Sequence, residues 1–75
     1  MKHENIGRII RFHRKEAGLS QEELATAAGI GKTAVFDVEK GKLTIRFSTL
    51  LKMLEALNIQ ISLESTLMEH FNEAG

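Results

Sequence analysis

Seventy-five residues make one domain at most, and at this size burial alone leaves stability marginal unless something adds to the core. The chain has no cysteine, which excludes a disulfide framework and thiolate metal sites. Its unbroken apolar runs, such as Ala34-Val35-Phe36, fall far short of the roughly 18–20 residues a membrane helix needs.

The formal net charge is zero, which argues against a nucleic-acid partner until its distribution is read. Residues 1–46 hold nine Lys and Arg against six Asp and Glu; residues 47–75 hold one lysine against four glutamates. Phosphate responds to the local field rather than to the total, so the basic part and the acidic part face different partners. The start, Met1-Lys2-His3-Glu4, reads as that of a cytoplasmic protein, and a second subunit is the expected source of added stability.

Without proline, glycine and asparagine punctuate the chain. A first helix is expected from about Glu4 to Ala17, with Ile6, Ile10, His13 and Ala17 on one face and Gly18 as its stop. Ser20 caps a short second helix, Gln21 to Ala28, and Glu23 completes a capping box. After Gly29, a third helix begins near Lys32 and ends at Gly41. A fourth runs from about Phe47 to Leu57 with Leu50, Leu51, Leu54 and Leu57 as its apolar stripe.

The tail then changes period. Ile59, Ile61 and Leu63 alternate with Gln60, Ser62 and Glu64, which is strand spacing. A lone strand leaves its backbone groups unpaired, so it is expected to pair with its own copy across a two-fold axis. Residues 66–74 either form a short last helix through Leu67, Met68 and Phe71 or fray.

The stretch from Gln21 to Lys40 reads QEELATAAGIGKTAVFDVEK. Two short helices joined by about three residues need a small side chain where they cross, supplied by Ala25. They also need a positive φ to end the first helix at once, supplied by Gly29. Leu24, Ala28, Ile30, Val35 and Val38 then fall where a shared core needs them.

Extended to SQEELATAAGIGKTAVFDVEKGK, this segment resembles the phage-repressor type of helix-turn-helix, the xenobiotic-response-element family, over roughly Ile6 to Ile59. With IQISLE after the fourth helix, the chain looks most like the Hip-antitoxin branch of that family. The resemblance implies an all-α fold: a compact four- to five-helix repressor-like DNA-binding domain over residues 1–58. Residues 59–75 would supply a C-terminal strand and tail for dimerisation, with Ile59, Ile61 and Leu63 in the paired strand. It implies a homodimer that reads an inverted-repeat operator in double-stranded DNA and excludes polymerase. It also implies, as the alternative function, an antitoxin that neutralises a kinase-type toxin.

In that family the third helix enters the major groove, and the matching exposed positions here are Lys32, Thr33, Phe36 and Asp37. Lysine donates to guanine, threonine bonds a base or touches a thymine methyl, and Phe36 either meets a thymine methyl or serves a core or interface. Asp37 either accepts from cytosine, pairs with a nearby lysine, or is a plain surface residue. Gly31 departs from the usual serine or threonine cap. Phosphate contacts are expected from Ser20 and Gln21 at a helix N-terminus and from Lys40, Lys42, Thr44 and Arg46 beyond the third helix. Arg14 and Glu39 resemble the family's internal ion pair, a structural role.

His3, His13 and His70 lack metal-ligand spacing, and His13 is expected to be part-buried and hydrogen-bonded. No nucleophile–base set, Gly-rich phosphate loop or carboxylate pair stands out, so no catalytic residue, metal or cofactor is expected, and no enzyme. Ile9 and Phe12 flank the first helix. They either widen a core stripe covered by the tail or form a docking patch for a partner.

Overall fold

The computed structural model describes residues 3–42 and 44–71. Among the described residues four α-helices follow one another: α1 His3–Glu16, α2 Gln21–Ala28, α3 Lys32–Glu39 and α4 Phe47–Ala56. A single 3-10 turn follows at Met68–His70. Helices as short as α2 and α3 are marginal alone in water, so packing must hold them. α2 lies against α3 and α4, and α1 lies against α3. Their shared interior is Ile10, Leu24, Ala25, Val35, Val38, Met53 and Leu54, with Ile6, Leu19, Ile30, Leu50, Leu57 and Ile59 packed around it. None of the helices among the described residues is long and apolar enough to cross a membrane.

All four helices stop by the same device. Just past each lies a left-handed residue: Gly18, Gly29, Gly41 and Asn58, with φ of 74°, 70°, 89° and 58°. The next amide then reaches back to the last turn. Leu19 N–H donates to the Arg14 carbonyl at 3.0 Å, Ile30 to Ala25 at 2.9 Å, Lys42 to Asp37 at 2.9 Å and Ile59 to Leu54 at 2.8 Å. These bonds satisfy carbonyls that would otherwise be orphaned. Leu19, Ile30 and Ile59 are apolar and return the chain to the core. Lys42 is exposed, so the chain leaves α3 toward solvent instead.

α1 presents a different face from the one its apolar residues suggest. Ile10 is fully buried, but Ala17 is exposed, and the buried residue four positions beyond Ile10 is Arg14. An arginine can occupy that place because its hydrogen bonds are met inside the protein, as described below. His13 is half-buried, with Nδ1 2.7 Å from the Ile9 carbonyl. In α4 the buried pair is Met53 and Leu54, with Leu50, Leu51 and Leu57 only partly covered.

The tail departs from expectation. No strand forms among the described residues: Ile59 is half-buried on the core, while Ile61 and Leu63 are exposed on a segment without regular structure. A ladder needs a second strand, and one chain holds only this single candidate. Of the two outcomes expected for 66–74, a short helix or a frayed end, the described residues show a 3-10 turn at Met68–His70, and 72–74 lie outside them.

Candidate nucleic-acid interface

The capping box at the start of α2 forms as its sequence dictates. Ser20 Oγ accepts from Glu23 N–H at 3.0 Å, and the Glu23 carboxylate accepts from Ser20 N–H at 2.8 Å. Donation from the Ser20 backbone N–H, and secondarily from its hydroxyl, holds the Glu23 carboxyl below its ordinary range. Gly29 then ends α2 in the left-handed conformation, and Gly31, itself extended, opens α3 without a side-chain cap. Ala25, 3% exposed, is the small residue in the crossing.

This tight turn sets how α3 is displayed. Val35 and Val38 are fully buried, which turns the opposite face of α3 to solvent. Lys32, Thr33 and Phe36 are exposed there, with Lys40 one turn beyond Phe36. The Lys40 ammonium sits 4.8 Å from the centre of the Phe36 ring, a cation–π contact between two exposed side chains. Asp37 is half-buried. Its backbone carbonyl takes the Lys42 amide, and its carboxylate pairs with no lysine among the described residues.

Behind the face stands a clamp. Arg14 Nε donates to Glu39 Oε2 at 2.7 Å and Nη2 donates to Oε1 at 3.0 Å, while Nη1 reaches the Leu19 carbonyl at 2.8 Å. One guanidinium thus ties α1, the turn before α2 and the end of α3 together. Burial pushes the Glu39 carboxyl up, but donation from Arg14 and Gln21 and the charges of Arg14 and Arg11 outweigh it and hold the group below its ordinary value. The bond to Glu39 raises the Arg14 guanidinium further, against the opposing effect of burial.

The expected phosphate contacts divide into two kinds. Ser20 and Gln21 spend their side chains inside the protein: Ser20 on the capping box, and Gln21 Nε2 on Glu39 at 3.2 Å. The Ser20 N–H is taken as well, by the Glu23 carboxylate, so of the two residues only the Gln21 backbone N–H at the α2 N-terminus remains for an anion. Lys40, Lys42, Thr44 and Arg46 are all exposed along the segment from the end of α3 to the start of α4.

Three features escaped the sequence reading. Lys40 stacks on Phe36, which an i, i+4 spacing could have suggested. Arg8, Arg11 and Lys15 form an exposed cationic row on α1, visible as helical spacing. Gly7, buried where α1 meets α3, carries no local signal at all.

The helix-turn-helix family matches this chain over residues 10–63, from the middle of α1 through α4 into the tail. The chain belongs to the helix-turn-helix family. An uncharacterized helix-turn-helix-type transcriptional regulator of Sinorhizobium fredii is 39% identical over 59 residues, covering 79% of this chain and 78% of that protein. Control protein C.SmaI of Serratia marcescens is 32% identical over 72 residues, 96% and 86% of the two chains. The ImmF control region 10 kDa protein of Bacillus phage phi105 is 31% identical over 71 residues, 93% and 79% of the two. Within this helix-turn-helix chain, α2, the Gly29–Gly31 turn and α3 are the segments whose crossing exposes Lys32 and Thr33.

Proposed function

We propose that this helix-turn-helix protein is a sequence-specific DNA-binding transcriptional regulator, a cytoplasmic repressor that occupies an inverted-repeat operator as a homodimer. The observation that carries the reading is the outward face of α3: Lys32, Thr33 and Phe36 exposed, over a backing of Val35 and Val38. The regulator and control-protein names of its relatives support it. Lys32 and Thr33 read base edges, Phe36 meets a thymine methyl and Asp37 accepts from cytosine. Lys40, Lys42, Thr44 and Arg46 bind phosphates, joined by the backbone N–H of Gln21 behind the Ser20 cap. Residues 1–58 read DNA, and residues 59–75 join two subunits through a strand at Ile59, Ile61 and Leu63, placing two α3 helices about 34 Å apart.

A gel shift on the DNA upstream of the gene tests this. Wild type is expected to retain one sequence over competitor DNA, and Lys32→Ala/Thr33→Ala to lose that preference. Equal, weak binding of both proteins to all sequences would sink the reading.

A second reading, an antitoxin of the Hip type that binds a kinase-type toxin, draws on the exposure of Phe12, 61%, beside Ile9. A toxin-like reading frame next to this gene, whose product binds the chain, would favour it.

A further inference from the structure

The chain carries two unsatisfied apolar surfaces of complementary charge. One is a cleft of about 400 Å³ between α1 and α4, lined by Ile6, Ile9, Phe47, Leu50, Leu54 and Ile61. Ile9 continues it onto the outer flank of α1, where Phe12 stands among Arg8, Arg11 and Lys15, with the exposed Glu16 one turn beyond. The spacing 8, 11, 12, 15 puts all four on one stripe, and all four are exposed. The other surface is the tail. Every residue from Gln60 to Phe71 is exposed, with Leu63, Leu67 and Phe71 at 77%, 71% and 64%.

The end of the tail is locally organised. Leu67 N–H donates to Ser65 Oγ, His70 N–H to the Leu67 carbonyl and Phe71 N–H to the Met68 carbonyl. This small turn carries Leu67, Met68 and Phe71 together with Glu64 and Glu69, and Glu69 has only its neighbour His70 within ion-pair distance among the described residues. Large apolar side chains exposed together on one short segment mark a contact surface more often than scattered ones do.

We propose that the α1 flank centred on Phe12, with the cleft beside it, receives segment 64–71 of a second copy of this chain, exchanged reciprocally across a two-fold axis. The first stretch of each tail already lines its own cleft through Ile59–Ser62, which leaves the remainder free to cross. Ser62–Glu64, the link ahead of that turn, reaches about 10 Å when extended and carries the turn away from its own cleft as a unit. Leu67, Met68 and Phe71 cover Phe12 and Ile9, while Glu64 and Glu69 face Arg8, Arg11 and Lys15. This inference deepens the homodimer reading and does not depend on DNA recognition.

The absence of cysteine makes the test direct, since every disulfide formed is an engineered one. Phe12→Cys chains mixed with Leu67→Cys chains under mild oxidation are expected to give a reducible species of twice the chain mass. Leu67→Cys mixed with Glu22→Cys is expected to give none. A Phe12→Cys/Leu67→Cys chain that closes only on itself would overturn the proposal in favour of a tail folded on its own α1. No cross-link in the mixture would leave this surface to another partner and overturn it equally.

Charge reversal gives a second arm. Arg8→Glu/Arg11→Glu should weaken self-association about tenfold in sedimentation equilibrium, the sum of several exposed pairs per dimer. Adding Glu64→Lys/Glu69→Lys to the same chain should restore it. Failure to weaken, or failure to restore, counts against the exchange. Gel shifts on the same proteins keep the two readings apart: absent sequence preference with an intact cross-link defeats only the DNA reading, and the reverse defeats only the tail exchange.

Discussion

Gly7 lies so close to the carbonyl oxygen of Val38 that no side chain fits between them. A Cβ at Gly7 would also stand 3.1 Å from Glu39 Cα, so the obstacle is backbone that cannot rotate away. The close approach of α1 to the end of α3, and with it the reach of Arg14 to Glu39, depends on a missing side chain. Gly7→Ala is therefore expected to lower stability by about 2–3 kcal/mol through overpacking. Gly29→Ala meets open space and strains only a φ of 70°, costing about 1 kcal/mol. Urea midpoints should rank wild type above Gly29→Ala above Gly7→Ala. The reverse order of the two variants would mean that α1 can shift freely.

The Arg14–Glu39 pair makes stability depend on acid. The Glu39 carboxyl titrates below its ordinary 4.5 in the folded protein, so its contribution is whole above that pH. It is lost as pH falls through the lowered folded value. Glu39→Gln should cost roughly 3 kcal/mol at neutrality, because it leaves the Arg14 guanidinium, 10% exposed, without its counter-charge. Denaturation at pH 7 and again near pH 3 checks the sign: the gap between wild type and variant narrows in acid. A gap that stays constant with pH would assign the cost to packing alone.

Phe36 and Lys40 should separate binding from stability. Phe36 is 45% exposed, so Phe36→Ala is expected to weaken operator binding about tenfold or more with little change in thermal midpoint. Lys40→Met removes the cation–π interaction and one phosphate partner, weakening binding several-fold. Replacing operator thymines by uracil should reproduce the Phe36→Ala effect at one position and add nothing to that variant. Additive effects would remove Phe36 from the thymine.

Salt dependence reports on the exposed loop cations. Lys42→Ala and Arg46→Ala should each weaken binding evenly across sequences. Each should also reduce the slope of log affinity against log salt by about one for every phosphate left without its cation. Glu23→Gln, in the capping box, should leave that slope unchanged. An unaltered slope in the lysine and arginine variants would show that they are ordinary solvated charges.

Helix ends were legible in the sequence because the forces that set them are local. Ser20 and Glu23 close a capping box within three residues, and Gly18, Gly29 and Gly41 each take a conformation that most residues resist. The crossing of α2 and α3 was legible for the same reason, since Ala25, Gly29, Val35 and Val38 lie within one short stretch. The face of α1 was not. Apolar spacing alone chose Ala17, whereas the protein buries Arg14; only the family resemblance pointed to its pairing with Glu39, twenty-five residues away.

The chain's own order of residues thus determined where helices start and stop and which short segment turns outward, because each decision is settled within about one turn of backbone. Only the tertiary structure decided that Gly7 must be bare, that the Arg14 guanidinium also takes the Leu19 carbonyl and that Ile61 and Leu63 stay uncovered in a single chain. Those outcomes depend on what distant segments bring to the same place: a carbonyl, a carboxylate, or the lack of a second strand among the described residues.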